Sequence, residues 1–266
     1  MKKIKSLGQH FLRSNAIAQR VANNVEVPYQ NCTTVVEVGP GEGMLTQFLL
    51  QIPDIDLWVC ELDDRLPQVL RAKFPETVLP SEKILLGDVL QMRLPQRFPD
   101  GFSLVGNFPY NISSQLLIMA YTHRQQIGQL VGMFQREVAQ RVCAQPGSKV
   151  YGQLSVLLQA FFEVSYLFTV ERGNFDPPPQ VQSAVIRLTR RATDALNGTP
   201  DPFFRELKKQ PFPPRRKQLA NCLKAYQFNF DDSVLPPTIL QKRAEQLSLA
   251  DFSELARIAV VKETKK

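Results

Sequence analysis

The amino-acid sequence predicts an α/β fold: a Rossmann-like, doubly wound sheet followed by a small all-α domain at the C-terminus. Three observations indicate it. Short apolar strands alternate with amphipathic helices over the first two thirds of the chain, which is typical of βαβ units and a mainly parallel sheet. The first strand runs into a glycine-rich turn that opens a helix. Beyond a polar segment at residues 191–202, the apolar residues follow helical spacing alone.

The predicted elements follow one another in this order. Apolar runs that end at glycine or at a polar residue predict strands at residues 34–38, 57–61, 84–86, 102–106 and 130–134, and an antiparallel edge pair at 165–171 and 183–189. Helical spacing predicts helices at residues 14–25, with Ser14 as N-cap, and at 44–50, 63–74, 113–123, 136–144, 152–162, 203–210, 217–226, 237–246 and 249–260. These elements divide the chain into a domain of residues 1–190, a linker of residues 191–202 and a helical domain of residues 203–266.

Composition narrows the class of protein. Of the 266 residues, 44% are hydrophobic, which is typical of a globular protein, and no apolar run approaches the roughly 18 residues that indicate a membrane span. The N-terminal sequence has no apolar secretory segment, so we expect a cytoplasmic protein. The scattered cysteines and the two isolated histidines predict neither a disulfide framework nor a metal site.

Basic residues are concentrated near the C-terminus. The net charge is +7, and residues 1–186 carry 16 basic and 16 acidic side chains, whereas residues 187–266 carry 16 and 9. Such asymmetry favours a polyanionic partner, and nucleic acid before a membrane surface. Within this region Arg215, Arg216 and Lys217 begin a predicted helix. Because the helix dipole disfavours cations there, we expect these side chains to contact phosphates.

A glycine loop follows the first predicted strand, with Gly39, Gly41 and Gly43 at alternate positions. Glycine lets the chain turn sharply and lets a ligand approach the backbone closely. Nucleotide-binding, flavin-binding and plain tight-turn interpretations all compete for such a loop. Glu37, just before the loop, favours S-adenosylmethionine over a dinucleotide.

Carboxylates end the second and third predicted strands. Glu61 lies about 20 residues after the glycine loop, a spacing that suits the paired hydroxyls of a ribose, and a carboxylate can accept both of their hydrogen bonds. Asp88 can accept a hydrogen bond from the amino group of an adenine. Open α/β sheets bind ligands at the carboxyl ends of their strands. We therefore expect the cofactor at this edge of the sheet.

The most specific motif is Asn107-Phe108-Pro109-Tyr110, at the end of the fourth predicted strand. It matches the (N/D/S)-P-P-(Y/F) pattern of amino methyltransferases in its first, third and fourth positions. The Asn107 side-chain oxygen and the Phe108 carbonyl can accept the two N–H bonds of an adenine amine, which aims its lone pair at a methyl donor. Pro109 stiffens the turn, and the Tyr110 ring can stack on a base taken out of its helix. We expect positioning, rather than a strong general base, to dominate the rate.

Two further segments are expected to complete the site. His10 and Leu12 lie in a segment before the first helix, which we expect to close over the cofactor. Phe175 lies in a proline-rich loop at residues 174–179, which we expect to carry an exposed ring. Such a ring would flank the target base opposite Tyr110.

With these motifs in order, the sequence resembles the KsgA-type (RsmA) adenine N6-dimethyltransferases of small-subunit rRNA. The resemblance covers nearly the whole chain through GQHFL, EVGPGEGMLT, ELD, GDV, GNFPYNISS, NFDPPPQVQSAV and RRKQLANCL. Members of the family often have asparagine where this chain has His10, and leucine where it has Phe108. Both departures fall where backbone atoms are thought to act, so we expect activity to survive. Glu42, which follows Gly41, is a further departure, but it replaces none of the loop glycines.

The resemblance implies a methyltransferase sheet and S-adenosylmethionine-dependent dimethylation of two adjacent adenosines. The implied substrate is the 3′-terminal hairpin loop of 16S rRNA in an immature small subunit, bound in part by the basic C-terminal domain. Nothing in the sequence requires more than a monomer. The implied cofactor contacts, the first two of them largely through the backbone, are His10, Leu12, Gly39, Glu61, Asp88 and Asn107, to which the loop glycine Gly41 is added.

Other interpretations stay open. An Erm-type resistance methylase of large-subunit rRNA would use the same chemistry, although Gly39-Pro40-Gly41 and the basic segment 215–217 favour the small-subunit substrate. A DNA adenine methylase would usually carry a separate recognition domain. A ribosome assembly factor that keeps this fold without catalysis belongs to a different class. Intact Asn107 and Tyr110 argue against that loss of chemistry.

Overall fold

The computed structural model describes residues 9–192, 202–209, 212, 218–219, 228–230 and 237–261. The largest feature of this part of the chain is a seven-stranded sheet. Its strands are β1 (Thr34–Val38), β2 (Asp56–Glu61), β3 (Ile84–Leu86), β4 (Phe102–Asn107), β5 (Ile127–Gln135), β6 (Phe162–Val170) and β7 (Ser183–Arg190). All seven strands overlap predicted ones, and β1 and β3 have the predicted limits.

The strand order is β3-β2-β1-β4-β5-β7-β6. The first five of these strands are mutually parallel, and β7 pairs with β5 in the antiparallel sense. The order reverses between β1 and β4, because the chain leaves the β3 edge and returns to the other side of β1. Open α/β sheets bind ligands in the crevice at such a reversal. The predicted doubly wound, mainly parallel sheet is confirmed.

Helices lie before, between and after these strands. The described helices are α1 (Asn15–Ala22), α2 (Thr46–Leu49), α3 (Leu66–Lys73), α4 (Leu94–Arg97), α5 (Ser113–Thr122), α6 (Arg136–Val142), α7 (Gln153–Phe161), α8 (Pro202–Lys209), α9 (Pro237–Gln241) and α10 (Leu249–Ile258). Short 3-10 turns are Ser81–Lys83, Arg172–Asn174 and Ala244–Gln246. Ser14 caps α1 as predicted, since the Ile17 N–H donates to its Oγ at 3.3 Å. The single-turn helix α4 was not predicted.

The core lies on both faces of the parallel strands. Val35 and Val36 of β1 are both buried, although they point to opposite faces. Leu104 and Val105 of β4 are buried in the same way. Strands that are covered on both faces have continuous runs of apolar residues. The sequence therefore predicts these strands although apolar and polar residues do not alternate in them. Burial of both faces leaves the carboxyl ends of the strands as the place for polar side chains.

A short ribbon outside the main sheet ties two distant segments together. Phe11–Leu12 pairs in the antiparallel sense with Phe175–Asp176. The Arg13 N–H extends this contact by donating to the Asn174 carbonyl at 2.8 Å. The ribbon holds the segment before α1 against the loop before β7, and two-residue strands of this kind were not predicted.

By its contacts the chain divides into two compact units. Described residues up to 139, together with 163–190, form the first unit, which contains most of the sheet. Residues 140–162 and the described residues from 191 onward form the second. Within that second unit the Phe161 and Phe204 rings meet edge to face, with centroids 5.9 Å apart.

The second unit contains helices α7 to α10, as helical spacing predicts for its C-terminal part. It also contains an antiparallel ribbon, Phe228–Phe230 with Ala259–Val261, which was not predicted. Residues 140–162 cluster with this unit, although the sequence analysis assigned them to the first domain. Most of the predicted linker lies outside the described residues, so the domain limits 1–190, 191–202 and 203–266 stay a prediction.

Candidate active site

A cleft opens where the strand order reverses, at the carboxyl ends of β1, β2, β3 and β4. Its volume is about 280 Å³, close to the roughly 300 Å³ of the smaller ligand pockets in proteins. Most of the predicted site residues line it. They are His10, Gly39, Gly41, Glu61, Asp88, Asn107, Phe108, Pro109 and Tyr110. The first unit alone therefore assembles the glycine loop, both carboxylates and the Asn107 motif around one cavity.

The glycine loop needs glycine for two physical reasons. Gly39 and Gly41 have φ angles of 69° and 56°, in the left-handed region that side chains disfavour. A Cβ on Gly41 would also lie 2.8 Å from the Phe11 ring, which packs against the loop. The loop backbone therefore faces the cleft without side chains in the way. Such a cradle suits a ligand that must approach the main chain.

Glu61 is held rigidly at the end of β2. Its Oε2 accepts a hydrogen bond from the Gly41 N–H at 3.2 Å, and its Oε1 accepts one from the Asp63 N–H at 2.9 Å. Burial raises the pKa of this carboxyl, and these backbone hydrogen bonds oppose the rise. Each carboxylate oxygen has a second lone pair, so the group can still accept hydroxyl donors from a ligand.

Asp88 lies across the cleft, after β3. Its Oδ1 accepts a hydrogen bond from the Leu90 N–H at 3.0 Å, and its Oδ2 accepts one from the Gln91 side chain at 3.0 Å. These contacts hold the carboxylate at the rim of the cleft, where it is half-buried. It retains lone pairs for a donor such as an adenine amino group.

The Asn107 side chain has a defined orientation. Its Nδ2 donates to the His10 carbonyl oxygen at 2.8 Å. Because a carbonyl oxygen only accepts hydrogen bonds, the nitrogen must face His10, and Oδ1 is left as an acceptor for another group. His10 thus contacts Asn107 through its backbone carbonyl, and its ring lies 5.6 Å from the Tyr110 ring. Its contact with the cofactor stays a prediction.

The Phe108 ring anchors the turn that follows β4. Gly106 and Gly132 are Cα partners on β4 and β5, and the ring fills the space that the two glycines leave. A Cβ on Gly132 would lie 2.2 Å from the ring. The ring is 1% exposed and lies 5.1 Å from the Phe134 ring. A residue larger than leucine is accommodated here because both neighbours are glycine, and the turn is correspondingly fixed.

Tyr110 is positioned by a residue that the sequence analysis missed. The Tyr110 and Ser183 hydroxyl oxygens lie 2.5 Å apart, and Ser183 is completely buried at the start of β7. Burial raises the pKa of the Tyr110 hydroxyl, so it is protonated at neutral pH. Nothing in the sequence marks Ser183, because a serine at a strand start is common and its partner is 73 residues away.

Gln9 and Asp63 form a second contact that was not predicted. The Gln9 side chain, which lines the cleft, donates to Asp63 Oδ2 at 2.8 Å. The Arg65 guanidinium pairs with the same carboxylate at 2.5 Å and lowers the pKa of Asp63. Asp63 is therefore charged, and it ties the segment before α1 over the end of β2.

Two predicted site residues lie in the core. Phe175 is 3% exposed, so the expected exposed ring is wrong. The physical reason is the ribbon, in which Phe175 is the Cα partner of Leu12 and both side chains join the main hydrophobic cluster. Neither residue lines the cleft. The predicted phosphate contacts Arg215, Arg216 and Lys217 lie outside the described residues.

Glu37 is buried beneath the glycine loop and gives a testable pH dependence. Burial raises the pKa of its carboxyl to about 8, and the nearby Glu61 charge adds to the rise, against a 2.6 Å hydrogen bond from the Thr46 hydroxyl. Between about pH 5 and 8 the folded protein therefore keeps a proton that the unfolded chain releases. Stability should fall as the pH rises through this window.

We expect Glu37→Gln to remove this loss, because glutamine is neutral and can still accept the Thr46 hydrogen bond. At about 1.4 kcal/mol per pKa unit, the loss attributable to Glu37 is roughly 5 kcal/mol. Urea unfolding of both proteins at a series of pH values between 5 and 9 measures it. Parallel stability curves for the two proteins would contradict the assignment.

The described residues contain neither a membrane-spanning helix nor a cluster of metal ligands. No helix among them is both long and apolar enough to cross a bilayer. In the same part of the chain no group of three or more His, Cys, Asp or Glu side chains is arranged to hold a metal ion.

A family model described as ribosomal RNA adenine dimethylase matches residues 1–259. The chain belongs to the ribosomal RNA adenine dimethylase family. It is therefore a methyltransferase whose methyl donor is S-adenosylmethionine, as the motifs predict. The cleft of this dimethylase fits that cofactor, since the open glycine backbone and the buried Glu61 carboxylate match a nucleoside that carries ribose hydroxyls.

Similar proteins agree with this assignment. A Parabacteroides distasonis protein named ribosomal RNA small subunit methyltransferase A is 44% identical to this chain over 256 residues, which cover 96% of this chain and 93% of that protein. In Porphyromonas gingivalis the identity is 45% over 254 residues, with 94% and 95% covered.

Two solved structures share the fold of this dimethylase. A dimethyladenosine transferase from Plasmodium falciparum has a TM-score of 0.71 at 23% identity, with 92% of this chain and 96% of that chain covered. The 23S rRNA methyltransferase ErmE has a TM-score of 0.66 at 24% identity, with 93% and 99% covered. At these identities the likeness supports the fold alone, so the choice between ribosomal subunits depends on the closer relatives.

Proposed function

We propose that the chain dimethylates the N6 amino groups of two adjacent adenosines in the 3′-terminal hairpin loop of 16S rRNA during small-subunit biogenesis. One observation carries the proposal. The Asn107 side chain lines the same cleft as the glycine loop, and its Oδ1 is left as a hydrogen-bond acceptor. Support for the small subunit comes from relatives at 44% and 45% identity, which are named small-subunit methyltransferases.

The cofactor would bind to residues at the carboxyl ends of β1, β2 and β3. The Gly39 and Gly41 backbone would take the part of the cofactor nearest the chain, and Glu61 would accept the ribose hydroxyls. Asp88 would accept a hydrogen bond from the adenine amino group. Bound there, S-adenosylmethionine supplies a methyl group carried by a positively charged sulfur. The sulfur leaves readily because it becomes a neutral thioether when the methyl group is transferred.

The residues at the end of β4 and in the turn after it would activate the adenine amine. An adenine amine is a poor nucleophile because its lone pair is delocalised into the ring. Asn107 Oδ1 and the Phe108 carbonyl would accept its two N–H bonds and so favour a pyramidal nitrogen. The Tyr110 ring, oriented by Ser183, would stack on the extruded base. The proton can leave after the methyl group arrives, so the residues act mainly by positioning.

The partner and the setting belong to the same proposal. The substrate would be 16S rRNA within an immature small subunit, bound by a monomer in the cytoplasm, without a metal ion. Arg215, Arg216 and Lys217 would contact phosphates. Transfer to large-subunit rRNA, or cofactor binding without turnover by an assembly factor, are the alternatives that an experiment must exclude.

Incubation with labelled S-adenosylmethionine and undermethylated small subunits tests this function. We expect label on two adjacent adenosines near the 3′ end of 16S rRNA, with up to four methyl groups per particle. Fully methylated subunits serve as the control and should take up none. Label on large-subunit rRNA, or cofactor binding with no transfer to either subunit, would contradict the proposal.

A further inference from the structure

We propose that an arginine rim binds the RNA phosphates that flank the target adenosine. The rim consists of Arg136, Arg172, Gln180, Val181 and Gln182, all in the first unit. This inference rests on the proposed function, because it assumes an RNA substrate at Tyr110. It adds a second phosphate-binding surface to the one predicted for the C-terminal segment.

The rim is built onto the residues that hold Tyr110. Ser183, whose hydroxyl contacts Tyr110, is the Cα partner of Gln135 at the end of β5. The next residue, Arg136, donates its backbone N–H to the Gln182 carbonyl at 2.9 Å. Gln182 is therefore the chain neighbour of Ser183, which orients the Tyr110 ring, and Arg136 is the chain neighbour of its strand partner Gln135. A base stacked on Tyr110 would bring its own sugar and phosphates toward these residues.

The two guanidinium groups are oriented by neutral acceptors. Arg136 Nη1 donates to Gln182 Oε1 at 2.5 Å, and Arg172 Nη1 donates to the Gln180 carbonyl at 3.3 Å. Both arginines are exposed. Within the described residues neither forms an ion pair. A guanidinium has five N–H donors, so each keeps donors and a full positive charge for a phosphate.

Two of the acidic side chains near the rim, Glu171 and Asp176, have other partners. Glu171 Oε1 accepts a hydrogen bond from Gln182 Nε2 at 2.7 Å, which orients the amide that receives Arg136. Asp176 pairs with Arg13 at 3.2 Å. Glu171 thus orients one amide of the rim, and in the described part of the chain no ion pair joins Glu171 or Asp176 to the two arginines.

The distribution of charged residues along the edge of the sheet favours different sites for the cofactor and for the RNA. Glu61 and Asp88 lie at the ends of β2 and β3, where phosphates would be repelled. Arg136 and Arg172 follow β5 and β6, on the other side of β4. Val181, which is 38% exposed, adds an apolar surface between them on which an unpaired base can rest. The Tyr110 side of the edge therefore favours a polyanion.

The double variant Arg136→Gln/Arg172→Gln tests the rim. We measure Kd for undermethylated small subunits across a salt series, KM and kcat for methyl transfer, and Kd for S-adenosylmethionine. Removing two phosphate contacts should lower the slope of log K against log salt by about 1 to 2 and raise KM about tenfold at low salt. We expect kcat and cofactor affinity to change less than about twofold, since the variant leaves the donor and acceptor geometry intact.

Arg71→Gln is the matched control, because Arg71 is also exposed but lies in the last turn of α3, away from the cleft. It should leave KM and the salt slope unchanged. An equal loss in the control, or an unchanged salt slope and KM in the double variant, would overturn the rim. If the wild-type protein transfers no methyl group to RNA, the proposed function fails, and the salt slope of binding still decides the rim by itself.

Discussion

Asn107→Ala should slow methyl transfer by about 10²- to 10³-fold while leaving RNA binding within about twofold of wild type. The substitution removes the Oδ1 acceptor that we assign to the adenine amine, and it also removes the 2.8 Å hydrogen bond to the His10 carbonyl. Loss of one preorganised polar contact to a reacting group typically lowers kcat about 10²- to 10³-fold. Single-turnover transfer from labelled S-adenosylmethionine measures the rate, and calorimetry measures the affinity for the cofactor.

Asn24→Ala is a control for this substitution. Asn24 also donates its amide to a backbone carbonyl at 2.8 Å, that of Arg20, but it lies at the end of α1 and outside the cleft. It should lose a comparable hydrogen bond without losing activity. If Asn107→Ala transferred methyl groups at a rate near that of wild type, the catalytic role of this side chain would be refuted.

Gly132→Ala should have the second-largest effect, on both stability and activity. The added Cβ would lie 2.2 Å from the Phe108 ring and 2.7 Å from the Gly106 carbonyl oxygen. Such overpacking costs about 3 kcal/mol of unfolding free energy, and the displaced ring must move the turn that carries Asn107. Urea unfolding and kcat, measured on the same preparation, should both fall.

Two further variants test the cause of that effect. Gly173→Ala adds the same methyl group where nothing lies within 4 Å, so it should be nearly neutral. Combining Gly132→Ala with Phe108→Leu should restore part of the stability, because leucine is smaller than the ring, while the contact with the Gly106 carbonyl persists. The absence of any recovery in the double variant would show that the ring is not what the methyl group displaces.

The fold and the cleft were predictable because their signals are local. Each parallel strand is a short apolar run, and the polar residue at its end marks the edge of the sheet where ligands bind. Gly39 and Asp88 follow a strand, and Glu61 and Asn107 end one, so placing the strands also placed these residues around one cavity. The family assignment agrees with the chemistry those residue types suggested.

What could not be predicted depends on contacts between distant segments. The burial of Phe175 follows from its pairing with Leu12, more than 160 residues earlier, and no local pattern records a two-residue ribbon. Ser183 orients Tyr110 across 73 residues for the same reason. The Phe108 ring is tolerated because Gly132, on the neighbouring strand, faces Gly106. Helical spacing likewise indicated α7 without showing which unit it joins.

A crystal structure of the protein with bound S-adenosylmethionine tests most directly whether the methyl donor and the amine acceptor meet in the cleft. We expect the cofactor between the Gly39 loop and Asn107, with its ribose hydroxyls on Glu61 and its methyl group directed toward Asn107 Oδ1. A cofactor bound elsewhere, or one whose methyl group points away from Asn107, would contradict the proposed chemistry.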